Sequence, residues 1–154
     1  MQSNREKIRR LMIAIDQIDE AYYKVLRTLG IKDNAFVLFY AIADGQSYSQ
    51  KRICAEWSVP RTTLNTIVQE YVGKGYIRLV STGHKEKEIV LTDSGKVFAE
   101  EILTPIFEAE EKAIIEAADG NEEVVSAGLD KIKERIVFIA GRIMSWRDMG
   151  RANF

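Results

Sequence analysis

Thr62, Asn65, Thr66 and Gln69 recur at helical spacing within VPRTTLNTIVQEYVGKGYIRLV, residues 59–80, with Arg61 at the amino end of the run. Such side chains do one kind of chemistry well, which is to donate and accept hydrogen bonds. Short hydroxyls and amides contact phosphates. The paired donor and acceptor of Asn or Gln match an adenine edge, and an arginine suits guanine or phosphate. A carboxylate on that face would be repelled by a phosphate backbone, and the face has none, with Glu70 to one side of it. Thr is a mediocre helix former, yet Thr62, Thr63 and Thr66 fall in the first two turns. A helix that only had to face water would use Glu and Lys instead, so this face reads as one made for double-stranded DNA.

Other chemistries are poorly provided for. Cys54 is the single cysteine and His84 the single histidine, which leaves neither a disulfide nor a ligand set for zinc. There is no Gly-rich phosphate loop and no nucleophile with a base at a recognisable spacing, so no enzymatic activity and no cofactor is expected. Glu100-Glu101 and Glu110-Glu111 fit a solvated helix face. No apolar run approaches the length needed to span a bilayer, and the charged first ten residues are no signal peptide. A cytoplasmic location is expected. The chain of 154 residues carries a net charge of −1, but unevenly. Between residues 49 and 88, Lys51, Arg52, Arg61, Lys74, Arg78, Lys85 and Lys87 stand against Glu56, Glu70, Glu86 and Glu88, a surplus of +3. A basic centre between acidic ends points to a local binding surface.

The elements that must position these groups follow from periodicity. Leu64, Ile67, Val68, Tyr71 and Val72 form the buried face of the reading helix, and Pro60 is expected at its first helical position. SQKRICAEWS before it reads as a short helix capped by Ser49, with Ile53, Cys54 and Trp57 turned inward. Ser58-Val59 joins the two as a helix-turn-helix, a unit that places its second helix in the major groove. Ser49, Lys51 and Arg52 are candidate phosphate contacts. After Gly75, two β-rich runs, 76–80 and 88–91, flank a polar tip, giving a hairpin that presents His84, Lys85 and Lys87.

The two ends are helical. Ile8, Leu11, Ile15, Ile18, Tyr22, Val25 and Leu29 keep a heptad rhythm that Gly30 closes, and Val125, Leu129, Ile132, Ile136, Ile139, Ile143 and Trp146 repeat it. Between them DNAFVLFYAIADG is an apolar helix, and TDSG caps a long helix over residues 93–118, with Pro105 a kink or break inside it. An a/d seam is narrower than the stripe that packs a helix on a globular core. The first and last helices are therefore expected to meet, within the chain and with a second copy. Ile8, Leu11, Ile15, Ile18, Ile132, Ile136, Ile139, Ile143 and Trp146 are the candidate dimerisation residues.

SVPRTTLNTIVQEYVGKGYI and IVLTDSG together resemble the MarR (multiple-antibiotic-resistance regulator) family of winged-helix regulators, and the resemblance covers nearly the whole chain. It implies a mainly α fold with a small β-hairpin. Residues 31–92 would form a winged helix-turn-helix lobe, and residues 1–30 and 93–154 the dimerisation region of a single domain. It also implies a homodimer on a pseudo-palindromic operator, and a ligand pocket between the dimerisation helices and the DNA-binding lobe. Three features depart from the family pattern. The wing's Asp-x-Arg reads Gly83-His84-Lys85, the turn glycine is Ser58, and a capping Glu is Arg52. Lys85 keeps the charge of the wing arginine without its planar fork.

The resulting DNA-contact set is Ser49, Lys51, Arg52, Arg61, Thr62, Thr63, Asn65, Thr66, Gln69, His84, Lys85 and Lys87. Tyr22, Tyr23, Phe36, Phe39 and Tyr40 cluster where relatives hold aromatic acids, so a small aromatic or phenolic effector is a candidate ligand, against the ordinary alternative that these rings are core. Cys54 is expected to be a buried, inert thiol. The competing class is a winged-helix module that uses the same surfaces against a protein and binds no DNA.

Overall fold

Ser3 opens the first helix with a reciprocal cap. Its Oγ accepts the Glu6 N–H at 3.2 Å, and its own N–H donates to Glu6 Oε2 at 2.7 Å. Helix α1 then runs over Asn4–Leu29 and ends at Gly30, whose φ of 71° lets the chain turn back so that the Ile31 N–H reaches the Leu26 carbonyl. The computed structural model describes residues 3–83 and 85–151, with 143–151 as backbone only. Along it follow α2 (Asp33–Ile42), β1 (Tyr48–Ser49), α3 (Gln50–Trp57), α4 (Arg61–Gly73), β2 (Ile77–Val80), β3 (Glu88–Leu91), α5 (Asp93–Ala118) and α6 (Glu122–Arg151). The fold is mainly α with a small antiparallel sheet, as expected, but the sheet has three strands. The two-residue β1 pairs with β3, giving the order β1-β3-β2, with Tyr48 opposite Ile89 and Ile77 opposite Leu91.

The chain divides into two compact units, Met1–Pro105 and Ile106–Phe154. In the first, Leu38, Phe39, Ile53, Leu64 and Val68 are fully buried, so α2, α3 and α4 share one core. Phe39 meets Tyr71 and Phe98 edge to face at 4.8 and 5.1 Å, and Tyr76 stacks on Phe98 at 4.7 Å, tying the start of the wing to α5. Within α1 the residue that enters this core is Leu26, off the heptad. Ile8, Ile15 and Ile18 stay exposed and Leu11 is half-buried.

The second unit holds the end of α5, a turn through Asp119 and Gly120, and α6. Pro105 does not interrupt α5, which is continuous from Asp93 to Ala118. On α6 Val125, Leu129, Ile132, Ile136 and Ile139 are all exposed in the single chain. Ile143 and Trp146 lie outside the residues whose side chains are described. Among the described residues, no helix is long and apolar enough to cross a membrane.

Candidate nucleic-acid interface

The reading helix stands where its burial pattern requires. Leu64, Ile67, Val68 and Tyr71 are buried and Val72 half-buried, while Arg61, Thr62, Asn65, Thr66 and Gln69 are exposed on the other side; Thr63 is half-buried between them. Its start differs by one residue from expectation. Pro60 has φ −59° and ψ 137° and is the N-cap, its carbonyl accepting the Leu64 N–H, so the first helical residue is Arg61. Proline brings no side-chain acceptor and the first turn holds no acid. The positive end of the helix is therefore left without a capping side chain or carboxylate of its own, an arrangement that suits a phosphate. Thr66 is partly used within the helix, since its hydroxyl donates to the Thr62 carbonyl at 3.0 Å. What it keeps for a partner is acceptor capacity and a methyl group of the kind that meets thymine.

Ser58 makes the turn before α4 in the left-handed region, at φ 54° and ψ 31°. Ser49 caps α3, accepting the Arg52 N–H at 3.2 Å, and Lys51 is exposed on its first turn. Arg52, expected to reach a phosphate, is instead engaged inside the lobe. Its Nε donates to Glu56 at 2.7 Å, Nη1 to the Ser47 carbonyl at 2.9 Å and Nη2 to Gln46 Oε1 at 3.1 Å, and the guanidinium lies 4.0 Å above the Tyr48 ring. Asp44 completes this cluster by accepting the Gln46 N–H at 2.9 Å and the Tyr48 hydroxyl at 2.7 Å. These two bonds, with the nearby Arg52 charge, hold the Asp44 carboxyl below its ordinary value. The same contact with Asp44 raises the Tyr48 phenol.

Two residues on α3 face differently from expectation. Trp57 is exposed rather than inward, its ring meeting Tyr40 at 5.4 Å, and Cys54 is half-buried rather than buried. With only two turns in α3, Ile53 alone points into the core.

On the wing, Lys85 and Lys87 are exposed and Glu86 is half-buried, with Arg61 Nη2 donating to Glu86 Oε1 at 3.4 Å. In the sequence Glu86 counts only as one of the four acids set against the basic centre. The alternation in Lys85-Glu86-Lys87 was the signal that it turns the other way from its neighbours. Arg78, also left out of the expected contact set, is exposed on β2. His84 lies outside the described residues. Glu70, beside the reading face, is neutralised by Lys74 at 2.7 Å with Lys32 at 4.0 Å, and the bond from Lys74 holds its carboxyl below the ordinary value.

The aromatic set expected to hold an effector is not brought together as one site. Phe39 is sealed in the core, and Tyr23 is exposed with Arg27 over its ring at 5.7 Å. Tyr22 meets Phe36 at a tilt at 6.0 Å, and Phe36 meets Tyr40 edge to face at 5.3 Å. A separate surface depression of about 320 Å³ runs beside β3, lined among others by Ile42, Gln46, Ser47, Glu88, Val90 and Lys96, none of them from that set.

No family model matches the sequence, and no curated protein matches it. Solved structures do. A MarR family regulator from Neisseria meningitidis superposes with a TM-score of 0.77 at 22% identity, covering 88% of this chain and 97% of that one. S. aureus MepR, solved in its DNA-binding conformation, gives 0.68 at 19% identity, over 87% and 99%. Bordetella bronchiseptica BpsR, whose DNA binding is regulated by 6-hydroxynicotinic acid, gives 0.59 at 15%, over 86% and 98%. The chain has the winged-helix fold of the MarR-family transcriptional regulators.

Proposed function

We propose that the chain is a MarR-family transcriptional regulator that binds double-stranded DNA as a homodimer and acts as a repressor. The observation that carries this reading is the outward face of α4. Arg61, Thr62, Asn65, Thr66 and Gln69 are exposed together, with no carboxylate among them and neither a capping side chain nor an acid in the helix's own first turn. A groove lined with phosphates and base edges is the partner that such a face complements. Lys51, Lys85 and Lys87, exposed on α3 and the wing, add backbone contacts, whereas Arg52 is assigned to holding the lobe together. Two copies would set their reading helices in successive major grooves, so the half-sites of a pseudo-palindromic operator should lie about one helical turn, roughly 10 base pairs, apart. Seated on promoter DNA, such a dimer blocks access to it, hence repression, and the site of action is the cytoplasm. Functionally, residues 31–92 form the reading lobe, and residues 1–30 with 93–154 the dimerisation region. The exposed apolar stripes of α1 and α6 support that assignment. No effector site is assigned to the ring cluster of Tyr22, Phe36 and Tyr40.

Selection of bound duplexes from a random DNA pool tests the reading directly. An inverted repeat with the stated spacing is expected, bound with an affinity that falls steeply with salt. Arg61→Ala with Asn65→Ala should abolish retention. Lys85→Ala should flatten the salt slope by about one unit. Failure to enrich any sequence, or binding indifferent to salt, overturns it and leaves the protein-interaction module as the reading of the same surface.

A further inference from the structure

Glu86 is the acid that faces the reading helix, and it sits on the wing. Its neighbours Lys85 and Lys87 are exposed, whereas Glu86 is half-buried and takes Arg61 Nη2 at 3.4 Å across 25 residues of sequence. Arg61 needs a counter-charge there. It is the first residue of α4, where the helix dipole disfavours a cation, and neither the Pro60 cap nor the first turn supplies an acid. The wing carboxylate supplies that counter-charge to the guanidinium. The pair is loose, and Arg61 remains 70% exposed, so it opens readily to a stronger partner. DNA offers one, since phosphates and guanine edges take arginine in shorter, bidentate geometry.

Resting on the DNA-binding reading above, we infer that Glu86 is a built-in competitor for Arg61, a carboxylate that occupies the reading arginine in the unbound protein and must give it up when DNA enters. Binding is then an exchange of one anionic partner for another, and the wing moderates affinity through the reading helix. The opposite role is a structural strap, in which the pair holds the wing in its DNA-binding position. The two roles differ in sign, because loss of a strap weakens binding and loss of a competitor tightens it. They also differ in what they depend on, because a competitor acts only while Arg61 is present.

The experiment uses the full chain, a duplex recovered by the pool selection, and a salt titration between about 50 and 200 mM. Glu86→Gln is expected to tighten binding roughly two- to fivefold, the scale of an exposed ion pair. It should also steepen the salt slope by up to about one unit. Glu86→Asp should restore the wild-type affinity, and in an Arg61→Ala background Glu86→Gln should change nothing. Weaker or unchanged binding by Glu86→Gln overturns the inference. So does the same tightening without Arg61, which would make the carboxylate a general repeller of phosphates. If the wild-type chain enriches no duplex at all, the DNA-binding reading itself falls and takes the inference with it.

Discussion

Gly95 lies so close to Tyr76 that a Cβ built on it would stand 1.9 Å from the Tyr76 carbonyl oxygen. That same oxygen accepts the Thr92 N–H at 3.1 Å. Thr92 Oγ1 in turn takes the Gly95 N–H at 3.0 Å and donates to the Gly75 carbonyl at 2.6 Å, to which Ser94 Oγ also donates at 3.0 Å. The run Leu-Thr-Asp-Ser-Gly is thus a clasp. It caps α5 and, with the same residues, pins the junction between the reading helix and β2 to the start of α5.

Gly95→Ala should therefore be costly. The obstacle is backbone, which cannot swing aside as a flexible side chain would, so either β2 or the start of α5 has to move. A loss of about 2–3 kcal/mol is expected, at the upper end for an overpacked site, lowering the thermal midpoint by about 5 °C or more. Gly141→Ala is the control. Gly141 is helical with open space around its Cβ position, so alanine there should stabilise by up to about 1 kcal/mol. Equal effects of the two substitutions would remove the clasp from the account.

Ser58 occupies a left-handed conformation that favours glycine. Its Cβ crowds the neighbouring carbonyl, at a cost of roughly 1–2 kcal/mol for an L-residue, offset in part by the greater freedom that glycine has when unfolded. Ser58→Gly should raise the unfolding free energy by up to about 1 kcal/mol, read as a higher urea midpoint with an unchanged denaturant slope. Ser58→Val, β-branched in a region that such residues avoid, should lower it. A destabilised glycine variant would show that the serine makes a contact worth more than its strain.

What could be seen in advance depended on length and period. The reading helix and the two end helices are long, so their spans were legible from periodicity, and in the reading helix the apolar positions are the ones that face the core. Ser58 stands where the family resemblance has glycine, and its backbone is left-handed there. β1 was not legible, because it is two residues long and Ser49 in it also caps α3, so no alternation develops. The faces of Cys54 and Trp57 were misjudged because eight residues leave the phase of a helix poorly determined. The engagement of Arg52 was legible in part, since Glu56 stands four residues on in the same helix, but Gln46 and Ser47 join it only through the turn that leads into β1, which periodicity does not show. Leu26, the α1 residue that enters the core, lies off the heptad that dominates its helix.

The Asp44 cluster makes stability depend on pH at both ends of the scale. The Gln46 N–H and the Tyr48 hydroxyl favour the charged carboxylate, so the folded Asp44 titrates below its unfolded counterpart. Its contribution is complete above the ordinary carboxylate range, about pH 4, and is lost as pH falls through the folded value. Tyr48 is shifted the other way by Asp44, so its contribution is intact below about pH 10 and is lost as pH rises through the folded value. Asp44→Asn keeps a side-chain acceptor but does not titrate. Urea unfolding should show wild type losing stability faster than the variant below about pH 4, and the alkaline limb should flatten as well. Parallel curves at acid pH would show that the carboxylate gains nothing from these bonds.

The last prediction concerns the apolar stripe of α6. Leu129, Ile132, Ile136 and Ile139 follow a heptad and are exposed in the single chain, an arrangement that water disfavours and a second copy would relieve. A glutamate at Ile136 places a charge in the middle of that seam. Sedimentation at micromolar concentration should find a wild-type dimer, and Ile136→Glu as a monomer or as a dimer weakened at least tenfold. Binding to a selected duplex should fall further than any change at one half-site explains, because the two lobes no longer bind as one unit. Glu134→Gln, on the same helix but off the seam, should leave the mass unchanged. An Ile136→Glu variant that remains a full-affinity dimer would move the interface elsewhere. A wild type that sediments as a monomer, with Ile136→Glu unfolded, would show that the stripe serves the chain's own packing.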